Sequence, residues 1–181
     1  MPDAPAPAAS VVLLMGVAGS GKTTVGTALA GRLGWAFVDA DAYHDPAALA
    51  RMARGVGLTD ADRAPWLARL AALVRAHLAD GPPLVLACSA LRAPYRATIT
   101  GGDARVATVW LDAPPSVLAA RLAAREGHAV GPDLLPSQLA TLEPPAGALR
   151  LDATGPVGGL VERAAAYVLG VPGTDAPRSS L

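Results

Sequence analysis

Within FVDADAYH, residues 37–44, two carboxylates stand one residue apart, Asp39 and Asp41, with His44 just beyond them. In an extended chain both point to the same side, because side chains alternate with period two. Like charges so placed repel, so the pair makes sense where a cation, a transferable proton or both occupy the space in front of it. A second constellation precedes it. The stretch GVAGSGKT, Gly16 to Thr23, fits G-x-x-x-x-G-K-[ST] between an apolar run and a helical pattern, TTVGTALAGRL. Its glycines, Gly16, Gly19 and Gly21, let the backbone turn tightly and aim the N–H groups of Val17, Ala18, Ser20 and their neighbours through Thr24 inward, forming an anion nest at a helix start. Lys22, the only lysine in the chain, reaches the β- and γ-phosphates of a nucleotide in such a loop, and the Thr23 hydroxyl ligates Mg²⁺.

A phosphate loop of this kind needs a second acid for its metal, usually at the end of a neighbouring strand. The run Leu84 to Cys88 continues into Ser89, Ala90 and Leu91 without one. Asp39 and Asp41 close the run Trp35 to Val38 instead, where open α/β sheets collect ligands. We assign Asp39 to Mg²⁺, through a water because that ion gives up its hydration reluctantly. Asp41 is assigned to an acceptor hydroxyl as general base or orienter. Spacing alone leaves the two roles exchangeable. Arg121 and Arg125 lie one helical turn apart, and a phosphoryl group in its transition state is the anion that would make this pairing favourable. Lys22, Asp41, Arg121 and Arg125 form the candidate catalytic set.

The elements that must position these groups are legible as alternation. Apolar runs at Val11–Met15, Trp35–Val38, Leu84–Cys88, Val106–Leu111 and Leu149–Leu151 are separated by helical periodicities such as Trp66, Leu67, Leu70, Val74 and Leu78. Near-continuous hydrophobic strands alternating with helices predict an α/β fold with a parallel sheet covered on both faces. Thr59 and Asp62 could form a capping box, but Pro65 favours a helix start at Asp62, which keeps the proline within the first turn. Trp66 is expected to pack its helix against the sheet rather than touch a ligand.

The 181 residues suit one domain, 52% hydrophobic and 17% charged, able to fold without disulfides. We place it at 11–170, with loose tails at 1–10 and 171–181. The opening decapeptide has no basic n-region, and VVLLM is too short for a membrane span. A net charge of 0 and pI near 6.8 offer no field for nucleic acid or anionic membrane. An aromatic content of 4% argues against a stacking nucleic-acid surface. The lone cysteine, Cys88, lies in an apolar run and is expected to be buried and inert, which suits a reducing cytoplasm.

GVAGSGKT, DADAYH, GLTDADRAPWL (57–67), ACSALRAPYR (87–96), and RLAAREGH with LLPSQLATLEPP (121–145) together resemble the gluconokinases, short P-loop sugar-acid kinases related to shikimate and adenylate kinases. The resemblance runs from about Val11 to Pro145. It implies a nucleoside-monophosphate-kinase-like P-loop fold, three-layered α/β/α with a five-stranded parallel sheet and a mobile lid at about 121–138. It also implies ATP- and Mg²⁺-dependent phosphorylation of the 6-hydroxyl of D-gluconate, by a cytoplasmic homodimer. His44, Arg63, Ser89, Arg92, Arg96 and His128 fall in blocks that in this family surround the sugar acid, and an arginine fork suits a carboxylate. Closure of GHAVGPD would carry Arg121 and Arg125 over the phosphates. The chain departs from the family pattern at Ala93, where a second lysine is frequent, at Ala129, where an aromatic is expected, and at Thr59, where Asn is common. The open alternatives are a kinase for another small acceptor, such as shikimate or a different sugar acid, and a P-loop switch ATPase.

Overall fold

The computed structural model describes residues 9–124 and 134–171. Five strands, β1 (Val11–Met15), β2 (Ala36–Asp39), β3 (Leu84–Cys88), β4 (Val106–Asp112) and β5 (Leu149–Asp152), form one sheet in the order β2-β3-β1-β4-β5, with every pairing parallel. The apolar run VVLLM is β1, flanked on both sides and fully buried, as expected of a strand with helices over both faces. Around the sheet lie α1 (Lys22–Leu33), α2 (Pro46–Ala53), α3 (Asp60–Ala79), α4 (Ala93–Thr100), α5 (Pro115–Ala123), α6 (Leu135–Thr141) and α7 (Val157–Val168). Two cores result. One joins Val12, Leu14 and Val109 to α1, α5 and α7; the other joins Val11, Leu13 and Leu86 to α3 and α4. The period-two division of β1 between the cores is the three-layer arrangement expected from the sequence.

Within α1, Gly26 is buried, and a Cβ there would lie 2.6 Å from Cε2 of Phe37. The missing side chain lets the Phe37 ring of β2 lie against the helix that carries Lys22. Cys88 is buried, and desolvation pushes its thiol up to about 12, so it stays an inert thiol.

Three expectations are corrected. Helix α3 begins at Asp60, not Asp62. Thr59 Oγ1 accepts from Asp62 N at 3.2 Å and Asp62 Oδ2 accepts from Thr59 N at 2.8 Å, a complete capping box, and Arg51 pairs with Asp62 at 3.1 Å. These contacts offset the bond that Pro65, inside the helix, cannot donate. Ser10, expected within a loose segment, is held: its N–H donates to Arg105 O at 2.9 Å, and Leu84 N donates to Ser10 O at 3.0 Å, extending the sheet backwards. Finally, Asp39 and Asp41 do not share an extended segment. β2 ends at Asp39, and residues Ala40–Tyr43 form a 3₁₀ turn that Asp39 caps by accepting from Asp41 N at 3.0 Å. The strand ends otherwise shift by one residue: β2 begins at Ala36, and β4 and β5 run on to Asp112 and Asp152.

Candidate active site

The glycine loop leaves β1 and enters α1 with no side-chain cap and no acid in the first helical turn. The helix N-terminus thus keeps its orphan N–H groups and positive end for an anion. Backbone shape requires the glycines at two points. A Cβ on Gly16 would sit 2.5 Å from Ser20 Oγ and 2.7 Å from Leu111 O, and Gly21 has φ +93°, in the left-handed region. Lys22 Nζ donates to Val17 O at 3.1 Å, bending its chain back across the loop. The Ser20 hydroxyl is buried and has no hydrogen-bond partner among the described residues.

A cavity of about 530 Å³ opens beside the loop, and Lys22, Thr23, Asp39, Asp41 and His44 share its wall with Ser89 and Arg63. That volume suits a small-molecule site. The turn at Ala40–Tyr43 thus brings both acids to one cavity by a route other than strand alternation. Thr23 Oγ1 donates to Asp39 Oδ2 at 3.0 Å, placing together the hydroxyl and carboxylate assigned to Mg²⁺. Both are hard oxygen donors, so this pair fits that ion. Burial against the cavity wall, then the charge of Asp39, push the Asp41 carboxyl above the usual range, against the pull of Lys22 and His44. The group remains open to solvent across the cavity. Burial lowers His44 and keeps its ring neutral at neutral pH, with one donor and one acceptor to offer.

Trp66 explains how the turn is held. Its indole N–H donates to Ala40 O at 2.8 Å, and its ring stacks on His44 with centroids 4.3 Å apart and planes at 7°. Arg69 Nε adds a bond to Tyr43 O at 2.9 Å. Trp66 is buried as expected and also forms part of the cavity wall.

The arginines divide. Arg63 lines the cavity, donating to Tyr95 Oη at 3.2 Å, with its guanidinium 5.6 Å from the Tyr95 ring centroid. Asp60 gathers the group by accepting from the Tyr95 hydroxyl and from Arg92 Nη1 at 2.8 Å. Arg92 and Arg96 do not line the cavity. Arg92 is turned to Asp60 and Glu143. Arg96 Nη1 donates to Ala90 O at 2.9 Å and Leu91 O at 3.1 Å, bracing a loop in which Ala90 takes φ +45°. The structure therefore gives Arg96 a loop-bracing position rather than a ligand-facing one. Arg121 stands across the phosphate loop from the acids, beside a second cavity of about 230 Å³ lined by Gly19, Thr24, Gly155 and Val157, and it donates to Ala153 O at 2.7 Å. Arg125, His128 and Ala129 lie outside the described residues.

Sequence reasoning missed Asp60, Tyr95 and Gln138. Ala18 N donates to Gln138 Oε1 at 2.7 Å, so this N–H, expected to face an anion, is instead engaged by a side chain. Each of the three lies inside a stretch already singled out, yet no spacing rule marks a residue whose partner is brought to it by the fold.

A parallel sheet in this order, with a glycine loop after its central strand and a carboxylate at the end of β2 meeting the threonine that follows the loop lysine, defines a P-loop kinase. The AAA domain family pattern matches residues 11–145. Gluconokinase of Gluconobacter oxydans (strain 621H) is 51% identical over 134 residues, covering 74% of this chain and 75% of that one. The chain belongs to the AAA domain family and, within it, to the gluconokinases. Among solved structures, a sugar kinase from Janibacter sp. HTCC2649 superposes with a TM-score of 0.83 at 41% identity, covering 91% of this chain and 96% of that one. A gluconokinase from Sinorhizobium meliloti 1021 gives 0.78 at 38%, covering 91% and 93%.

Proposed function

We propose that the protein transfers the γ-phosphoryl group of ATP to the 6-hydroxyl of D-gluconate, giving 6-phospho-D-gluconate and ADP. The observation that carries this reading is the meeting of Lys22, Thr23 and Asp39 with Asp41 in one cavity, beside a loop built for phosphates. The amides from Gly19 to Thr24 would hold the phosphate chain, and the second cavity, beside Arg121 and Val157, would receive the nucleoside. Mg²⁺, when bound, would be held by Thr23 and Asp39 and would neutralise charge on the phosphates. Asp41 accepts the proton of the attacking hydroxyl, a task for which a raised carboxyl pKa is suited. Neutral His44 orients a sugar hydroxyl, and Arg63 takes the carboxylate of the acid.

A coupled assay with ATP and gluconate, idonate, shikimate or no acceptor tests the assignment. Turnover with gluconate well above the others is expected; turnover with shikimate alone, or ATP hydrolysis indifferent to acceptor, would replace it. The family resemblance carries two further proposals, a homodimer and a cytoplasmic setting, the first of which light scattering of the purified protein decides. Among the described residues no helix is long and apolar enough to cross a membrane.

A further inference from the structure

Helix α6 is hydrogen-bonded to the phosphate loop through the side chain of Gln138. Gln138 Oε1 accepts the backbone N–H of Ala18 at 2.7 Å, across 120 positions of sequence, and both residues line the cavity of Asp39 and Asp41. A backbone N–H can only donate, so the carboxamide must present its oxygen to the loop and keep both Nε2 hydrogens available elsewhere. Beyond the helix the same segment is tied a second time. Glu143 N donates to Leu91 O at 2.8 Å, and Glu143 Oε2 accepts from Ala93 N at 2.6 Å. One stretch of chain therefore grips the nucleotide loop at one end and the β3–α4 loop, whose Ser89 faces the cavity, at the other.

We propose that Gln138 is a positioning residue for phosphoryl transfer. Its oxygen fixes the Ala18 end of the phosphate loop relative to α6, and thereby sets where the terminal phosphoryl group stands with respect to the hydroxyl facing Asp41. At that end Val17 is buried in the core and Ala18 packs against it, and the Gln138 oxygen adds a directional bond to the Ala18 amide; the other end is anchored by the helix start at Gly21 and Lys22. Loss of the tether should therefore disturb alignment more than affinity. In-line transfer is sensitive to displacements of about 1 Å, which can cost about a hundredfold in rate.

The inference rests on the kinase reading above, and the test separates the two. Gln138→Met keeps the length of the side chain and removes the carboxamide; Gln138→Ala removes both. Each variant is expected to lower kcat by about tenfold to a hundredfold, with KM for ATP and for gluconate changing less than about threefold and Tm close to the parental value. Hydrogen exchange of the Ala18 amide in the nucleotide-free protein should accelerate in both variants, while amides of β1 stay protected. Parental kcat in Gln138→Met, an effect confined to the gluconate KM, or a loss of rate that follows a loss of Tm would each overturn the proposal. Unchanged exchange at Ala18 would do so as well. If the parental protein does not phosphorylate gluconate while Ala18 exchange still responds to Gln138, the failure lies with the substrate assignment, and the rate arm is repeated with the acceptor that the panel identifies.

Discussion

Asp41 combines the chemical role proposed for it with a cost to the fold, and both can be measured on one variant. Its carboxyl is pushed above the ordinary range by burial and by Asp39. A group whose folded pKa exceeds its unfolded value binds its proton more tightly when folded, so it opposes folding above the folded pKa and ceases to do so below the unfolded one. Asp41→Asn is therefore expected to raise Tm at neutral pH while lowering kcat by at least about a hundredfold, with ATP affinity held within about threefold. Differential scanning fluorimetry and steady-state kinetics on the same preparation check it; parental turnover would remove Asp41 from the chemistry. Lys22→Ala should weaken ATP binding and kcat together, because in the proposed reaction the lysine would hold the phosphates both before and during transfer. Arg121, set beside the second cavity and bonded to Ala153 O, should respond differently. Arg121→Ala is expected to raise the KM for ATP and leave the KM for gluconate unchanged. An effect on the gluconate KM alone would move it to the acceptor side.

At the scale of elements, the strands and the phosphate loop were readable because hydrophobic runs and glycine spacing are local signals. The start of α3 was not, because two local rules competed. Pro65 argued for a late start and Thr59 with Asp62 for an early one, and the Arg51–Asp62 pair that favours the early start comes from α2. Thr59→Ala should cost about 1 kcal/mol, read as a shift of the urea midpoint. The acid pair shows a different limit. Strand alternation placed Asp39 and Asp41 on one side, whereas a 3₁₀ turn held by Trp66 and Arg69 does so in the folded chain. Gly26 carried no sequence signal at all. Its Ala variant gains up to about 1 kcal/mol of helix propensity, yet a Cβ 2.6 Å from the Phe37 ring is overpacking, which costs about 1–3 kcal/mol. Gly26→Ala is accordingly expected to lower Tm, and a raised Tm would show that the ring moves aside freely.

Across the whole molecule, the arginines show why a sugar-acid site is harder to read than a phosphate site. Arg63, Arg92 and Arg96 look alike in sequence, but Asp60, Glu143 and the carbonyls of Ala90 and Leu91 engage two of them away from the cavity, and those partners are assembled only by folding. Asp60 of this group and three carboxyls elsewhere give the fold its response to acid. Hydrogen bonds from Tyr95, Thr59, Arg105 and Thr154 hold Asp60, Asp62, Asp103 and Asp152 below the ordinary carboxylate range, Asp103 at about 2. Depressed carboxyls lend stability above their unfolded pKa and lose it as pH falls through the folded one, so unfolding should ease steadily from about pH 4 toward pH 2. The sheet order has a consequence for biosynthesis. Of the five strands, the one that carries the nucleotide loop is made before the others, but it is flanked by β3 and β4, which leave the ribosome much later. Until Asp112 has emerged, that opening strand has no completed neighbours, and its five apolar side chains are a natural target for chaperones that bind nascent hydrophobic segments.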